Sequence, residues 1–196
     1  MNYHTALKLP NLEYTKIEKP VTVIDTEFVN ALVFNVEQDV VPEIFQQADF
    51  IFLDIPYAHG YSVFNVRANR EGKGYKHLIE CTYKILQYLN KPFFFGGPSN
   101  LPIMKPFYSG KMRSGVHNSD MHLYTNSPED INIPNLTRES LLESLFDKYN
   151  VGLDFMCGYG SIMEYSLPRG KRVILSDYNE SCIGKIYEIL SQKKLL

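Results

Sequence analysis

Apolar positions along the chain change their period repeatedly, and the changes predict alternating strands and helices. VTVIDTEFVNALVFNV (21–36) holds β-branched and aromatic residues suited to strands, and VVPEIFQQA (40–48) predicts a short helix with Pro42 in its first turn. ADFIFLDIPY (48–57) is an apolar run that ends in an acid, a proline and an aromatic. Such a run suits a strand buried on both faces, as parallel sheets require. Over 75–90, Leu78, Ile79, Ile85, Leu86 and Leu89 fall at helical spacing, and KPFFFGGPSN follows at once as a second buried strand. Strand, helix, strand at this spacing is a βαβ unit.

The stretch 98–118 is rich in Gly, Pro, Ser and basic residues and predicts a loop; MHLYTN (121–126) predicts a short strand. NLTRESLLESLFDKYN (135–150) predicts a helix, with Thr137 as N-cap, Ser140 at its third position, and Leu141, Leu142, Leu145 and Phe146 on one face. VGLDFMCGYGS (151–161) reads as a strand and a glycine turn, SIMEYSLPRG as a helix, KRVILSDYN (171–179) as a strand and ESCIGKIYEIL (180–190) as the last helix. The expected fold is therefore α/β, with a mainly parallel sheet and helices on both faces. Residues 1–20, polar and carrying Pro10 and Pro20, read as an arm before a single domain over 21–196.

Composition changes this picture little: 44% apolar and 21% charged residues suit a globular domain. No run approaches 18 apolar residues, and the first residues lack the apolar core of a secretory signal, so neither a membrane span nor export is expected and the cytoplasm is the expected location. Cys81, Cys157 and Cys182 are odd in number and widely spaced, which argues against a disulfide framework and against a zinc site; no metal is expected. Charge is more informative. The chain is −2 overall, yet residues 61–117 hold nine Lys and Arg against Glu71 and Glu80, a local excess of seven. A basic middle in an acidic chain can draw a polyanion to one face.

Two segments carry candidate chemistry. In LDFMCGYGS a strand runs through Asp154 into Gly158 and Gly160, and Asp177 ends the next strand about twenty residues later. Glycines allow a sharp turn and close approach of a ligand, and a carboxylate at the second strand end can accept the hydroxyls of a ribose. The third glycine of a pyrophosphate-binding turn is missing, which favours a nucleoside without phosphate. Asp54-Ile55-Pro56-Tyr57 sits at another strand end, where open α/β sheets bind ligands. An exocyclic amine is a poor nucleophile, because its lone pair is delocalised into the ring. A carboxylate and a backbone carbonyl, each accepting one N–H, can favour a tetrahedral nitrogen. The proline stiffens the turn and the tyrosine can stack on a base taken out of a duplex.

Taken together, DIPY at 54–57 and FMCGYG at 155–160 resemble the amino-methyltransferases that modify adenine N6 or cytosine N4, in their circularly permuted arrangement. There a D-P-P-Y-like motif precedes an F-x-G-x-G motif. The likeness spans roughly residues 30–190 and implies a Rossmann-like class I methyltransferase fold using S-adenosylmethionine, with DNA as partner and adenine N6 as target. It implies that Asp54 and the Ile55 carbonyl take the two amine hydrogens, that Pro56 shapes the loop and that Tyr57 stacks on the base. Asp154, Phe155, Cys157, Gly158 and Gly160 would line the cofactor, with Asp177 on its ribose. The segment IPNLTRESLLE corresponds to a helix at the methionine end of the cofactor. The sequence departs from the pattern at Ile55, where the family has proline, and at Tyr159 and Ser161, where many relatives have a Ser-Gly-Thr run.

Arg67, Arg70 and Lys73 follow the acceptor segment and are candidate phosphate contacts. Lys111 and Arg113 lie in 98–118, the candidate substrate-recognition loop. With no sizeable recognition domain, sequence preference is expected to be relaxed or supplied by a partner subunit or a second copy. Two other readings stay open: a catalytically inactive binding or scaffold subunit of the same fold, and another reaction consuming S-adenosylmethionine.

Overall fold

The computed structural model describes residues 21–37, 40–55, 74–97, 110–113, 120–131, 133 and 136–196. Expectations for the arm 1–20, for Pro56, Tyr57, Arg67, Arg70 and Lys73, and for most of 98–118 lie outside the described residues. Among the described residues the chain forms a hairpin, β1 (Val21–Asp25) and β2 (Val29–Val33), then β3 (Phe50–Asp54), helix α1 (Tyr75–Leu89) and β4 (Phe93–Gly97). β5 (Gly110–Arg113), β6 (Asp120–Thr125), α2 (Arg138–Lys148), β7 (Val151–Asp154), α3 (Met163–Ser166), β8 (Arg172–Asp177) and α4 (Glu180–Gln192) follow.

These eight strands make one sheet in the order β1-β2-β8-β7-β3-β4-β6-β5. Neighbours from β2 through β4 run parallel, while β1 at one edge and β6 and β5 at the other pair antiparallel. The fold is α/β with a mainly parallel sheet.

Two local expectations are corrected. The predicted loop 98–118 contains β5, which pairs with β6 as an edge strand; GKMR lacks the apolar alternation that marks a half-buried strand. The short helix expected over 40–48 forms, as a 3-10 helix over Glu43–Gln47. The predicted helix over 161–170 is one turn, α3, continued by a 3-10 turn at Leu167–Arg169, where Pro168 offers no N–H to an α-helical ladder.

The period-2 alternation of the strands divides the core into two layers. Val29, Ala31, Phe50, Phe52, Phe94, Val173 and Leu175 face α2, α3 and α4. Leu32, Ile51, Leu53, Phe93, Phe95, Leu153 and Ile174 face α1 and Phe45. Helices thus cover both faces, for a topological reason. From β3 through α1 the chain moves to β4 on one side; from β7 through α3 it moves to β8 on the other. Right-handed crossovers in opposite directions must lie on opposite faces. The direction reverses between β7 and β3, and such a switch point leaves a crevice above the strand ends.

That crevice has a firm floor. Asp49 accepts the N–H groups of Asn150 and Val151 at 3.0 and 2.9 Å, tying the start of β7 to the start of β3. Gly152 lets the layers close: a Cβ there would meet Phe50 at 2.9 Å and Phe146 at 3.0 Å. The capping box at the head of α2 is formed as the sequence suggests, with Thr137 Oγ1 accepting from the Ser140 N–H and Ser140 Oγ accepting from the Thr137 N–H.

Candidate active site

The ladder between β3 and β7 holds two residue pairs, Phe50 with Gly152 and Ile51 with Leu153. Above them the strands part, although β3 stays paired with β4 as far as Asp54 and β7 with β8 as far as Asp154. Strand period fixes what faces the opening. Asp54 shares the face of Phe50 and Phe52, Asp177 that of Val173 and Leu175, and Asp154 that of Gly152. Three carboxylates therefore end three neighbouring parallel strands on one face, beneath the first turn of α2.

On the β7–β8 side the carboxylates are buried and engaged. Asp177 accepts the Gly158 N–H through Oδ2 and the Asn179 N–H through Oδ1, both at 2.9 Å. Burial raises its pKa, and the backbone hydrogen bonds oppose the rise. Asp154 accepts the Met156 N–H at 3.1 Å. Desolvation pushes its pKa up to about 7, against the pull of that hydrogen bond and of Arg138 and with the push of Asp54 and Asp177.

The two glycines of the turn have different tasks. Gly158, at φ +51, has nothing within 4 Å of where a Cβ would stand, so it borders open space. Gly160, at φ +73, is wedged: a Cβ would meet Met163 at 2.9 Å, Ile186 at 3.1 Å and Leu175 at 3.2 Å. Phe155 is fully buried and stacked 6.1 Å from Phe45 in the opposite layer, so only its backbone borders the crevice. Cys157 is buried, its N–H bonded to the Ser176 carbonyl, and burial lifts its thiol pKa well above the ordinary range. It is packing material rather than a nucleophile.

On the β3 side Asp54 keeps 46% of its side chain exposed. Desolvation by the surrounding protein raises its pKa, and the Arg138 guanidinium opposes the rise. Ile55 is anchored below it, with its side chain in the α1 layer and its N–H on the Gly96 carbonyl at 3.3 Å. Lys111 and Arg113 stand on β5, three strands from β3 and hence about 15 Å across the sheet.

The site also holds Arg138, to which the sequence reading gave no role of its own. Arg138, first residue of α2, is 15% exposed and reaches across the crevice. Its Nη2 donates to Ser161 Oγ, its Nε lies 3.7 Å from Asp54 Oδ2, and its Cζ sits 5.5 Å above the Phe52 ring. The signal in the sequence was faint: an arginine directly after an N-cap threonine, ahead of β7.

No protein-family model matches the chain, and no curated protein matches it significantly. Two solved structures are similar in fold. The crystal structure of M1.HpyAVI in complex with SAM is 12% identical, with a TM-score of 0.48 over 83% of this chain and 100% of that one. A protein of Thermus thermophilus, provisionally described as a DNA modification methylase, is 8% identical, with a TM-score of 0.48 over 84% of this chain and 94% of that one. The fold described above rests on its own strand order, not on these likenesses.

Proposed function

We propose that this protein is an S-adenosylmethionine-dependent methyltransferase acting on the N6 amine of adenine in DNA, with its acceptor strand preceding its cofactor strand in the chain. The observation that carries the reading is the pairing of Asp54 with Asp154 and Asp177 across one crevice at the switch point. The chemistry of the donor set fits the cofactor. Asp177 retains lone pairs for ribose hydroxyls, Gly158 leaves room for the nucleoside, and Asp154 suits the ammonium of an amino acid. Arg138, with a buried Nε that lacks a hydrogen-bond partner among the described residues, suits its carboxylate.

When bound, S-adenosylmethionine supplies a sulfonium-activated methyl group for direct displacement by the amine nitrogen, leaving S-adenosylhomocysteine while the extra proton passes to solvent. Asp54 accepts one amine N–H and the Ile55 carbonyl the other, which localises the lone pair on nitrogen. Pro56 and Tyr57, next in the chain, shape the acceptor loop and stack on the flipped base. Arg67, Arg70, Lys73, Lys111 and Arg113 supply phosphate contacts from the basic middle of the chain.

The deciding experiment incubates the protein with methyl-labelled S-adenosylmethionine and unmethylated DNA, single- and double-stranded, and identifies the labelled base. N6-methyladenine is the expected product. Label in cytosine would move the target to N4. Cofactor binding without transfer to any DNA would point to a partner-dependent or inactive subunit.

A further inference from the structure

Arg138 stands between the two halves of the site. Its Nη2 is held on the glycine-turn side by Ser161, while its Nε points toward Asp54 at 3.7 Å, close enough for an ion pair and too long for a hydrogen bond. That Nε is buried with no hydrogen-bond partner among the described residues. A buried donor left unmade favours any acceptor that can reach it. The Arg138 Cζ also lies 5.5 Å from the centroid of the Phe52 ring, a cation–π contact that favours this placement of the guanidinium. Among the described residues, Asp54 from β3 and Asp154 from β7 feel its charge, with Asp177 from β8 beyond Asp154, and Tyr165 feels it on the helical side together with Glu139 and Glu164.

We infer that Asp54 and the carboxylate of the bound cofactor compete for the single guanidinium of Arg138, so that cofactor binding releases Asp54 to the amine of the substrate. The inference rests on the functional reading above. Without cofactor, Arg138 and Asp54 hold each other in a loose pair. A planar carboxylate that satisfies the fork of Arg138 draws its charge away from Asp54, whose oxygens then turn to an N–H donor. Arg138 is a positioning residue in this scheme: it acts on the amine through Asp54. Linkage makes the coupling reciprocal, so removing the Asp54 charge must strengthen the hold of Arg138 on the cofactor carboxylate.

The test compares the affinities of S-adenosylmethionine and its decarboxylated analogue, which differ by the carboxylate alone, using calorimetry on the full chain without DNA. The ratio of their dissociation constants reads the carboxylate contribution. Wild type is expected to prefer S-adenosylmethionine. Asp54→Asn is expected to raise the preference by roughly three- to tenfold, and Arg138→Gln to bring it close to one, given couplings of the usual size. In the Arg138→Gln background, Asp54→Asn should change nothing further. A preference unchanged or lowered by Asp54→Asn overturns the inference, and that single variant decides the matter if Arg138→Gln does not fold. Equal affinity of wild type for the two ligands also overturns it, by removing Arg138 from the carboxylate. Binding of neither ligand overturns the functional reading, and this inference falls with it.

Discussion

Asp177 and Asp54 close strands two places apart on the same face of one sheet, yet the molecule treats them differently. Both oxygens of Asp177 already accept backbone N–H groups, from Gly158 and Asn179, and its side chain is buried. Asp54 is half exposed and faces a guanidinium that it does not quite touch. A strand end delivers a carboxylate to a crevice; what the neighbouring backbone offers it decides whether it becomes a fixed wall or an adaptable reactant. The Asp177 side is a wall. The Asp54 side, on the inference drawn above, is the one that changes partners.

The difference is broken most sharply at Asp54. Asp54→Ala is expected to lower methyl transfer by about a thousandfold, the scale of losing an oriented acceptor, while cofactor binding persists in calorimetry. Asp154 sharpens the contrast through pH. Its pKa of about 7 in the fold lies above its ordinary value of 3.8, so the folded state binds the proton more tightly. Its contribution to stability is therefore greatest below about pH 4 and is lost as pH rises through 7. Asp154→Asn should stabilise the protein at pH 8 by up to ~4 kcal/mol, since each tenfold change in proton affinity is worth about 1.4 kcal/mol, with the gain shrinking toward pH 4. Urea unfolding at a series of pH values reads this directly.

At Asp177 the expected loss is in binding: Asp177→Ala should weaken cofactor affinity by about ten- to a hundredfold, one or two hydrogen bonds' worth, with the turn at Gly158 also losing its anchor. The smallest effects separate the two glycines. Gly160→Ala should cost roughly 1–3 kcal/mol of stability through overpacking against Met163 and Ile186. Gly158→Ala should cost about 1 kcal/mol from its left-handed backbone alone, but should impair cofactor binding more than Gly160→Ala does for the same stability lost. Thermal unfolding and cofactor titration on both variants check the pair.

The sequence made the parallel strands legible because burial on both faces writes an unbroken apolar run, as in FIFLD and RVILSD. It made α2 legible because Thr137 and Ser140 have one mutual geometry that caps a helix. It could not reveal β5, whose GKMR has no periodic signal and is recruited by pairing with β6. Spacing announced both Gly158 and Gly160, but whether a glycine opens space or fills it depends on α3 and α4 packing against the turn. Phe155 stood inside a motif, yet alternation along the chain turned its ring away from Asp154 and into the far layer. Arg138 was hidden for a related reason: residues 54, 138 and 161 meet only once the sheet has ordered β3 beside β7.

The most direct test of the central claim is a calorimetric titration of the intact chain with S-adenosylmethionine at pH 7, alongside Asp177→Ala. Saturable binding at one site per chain, weakened in the variant, is the expected result. No binding up to about millimolar cofactor, where even a weak site of roughly 4 kcal/mol would show, would contradict it.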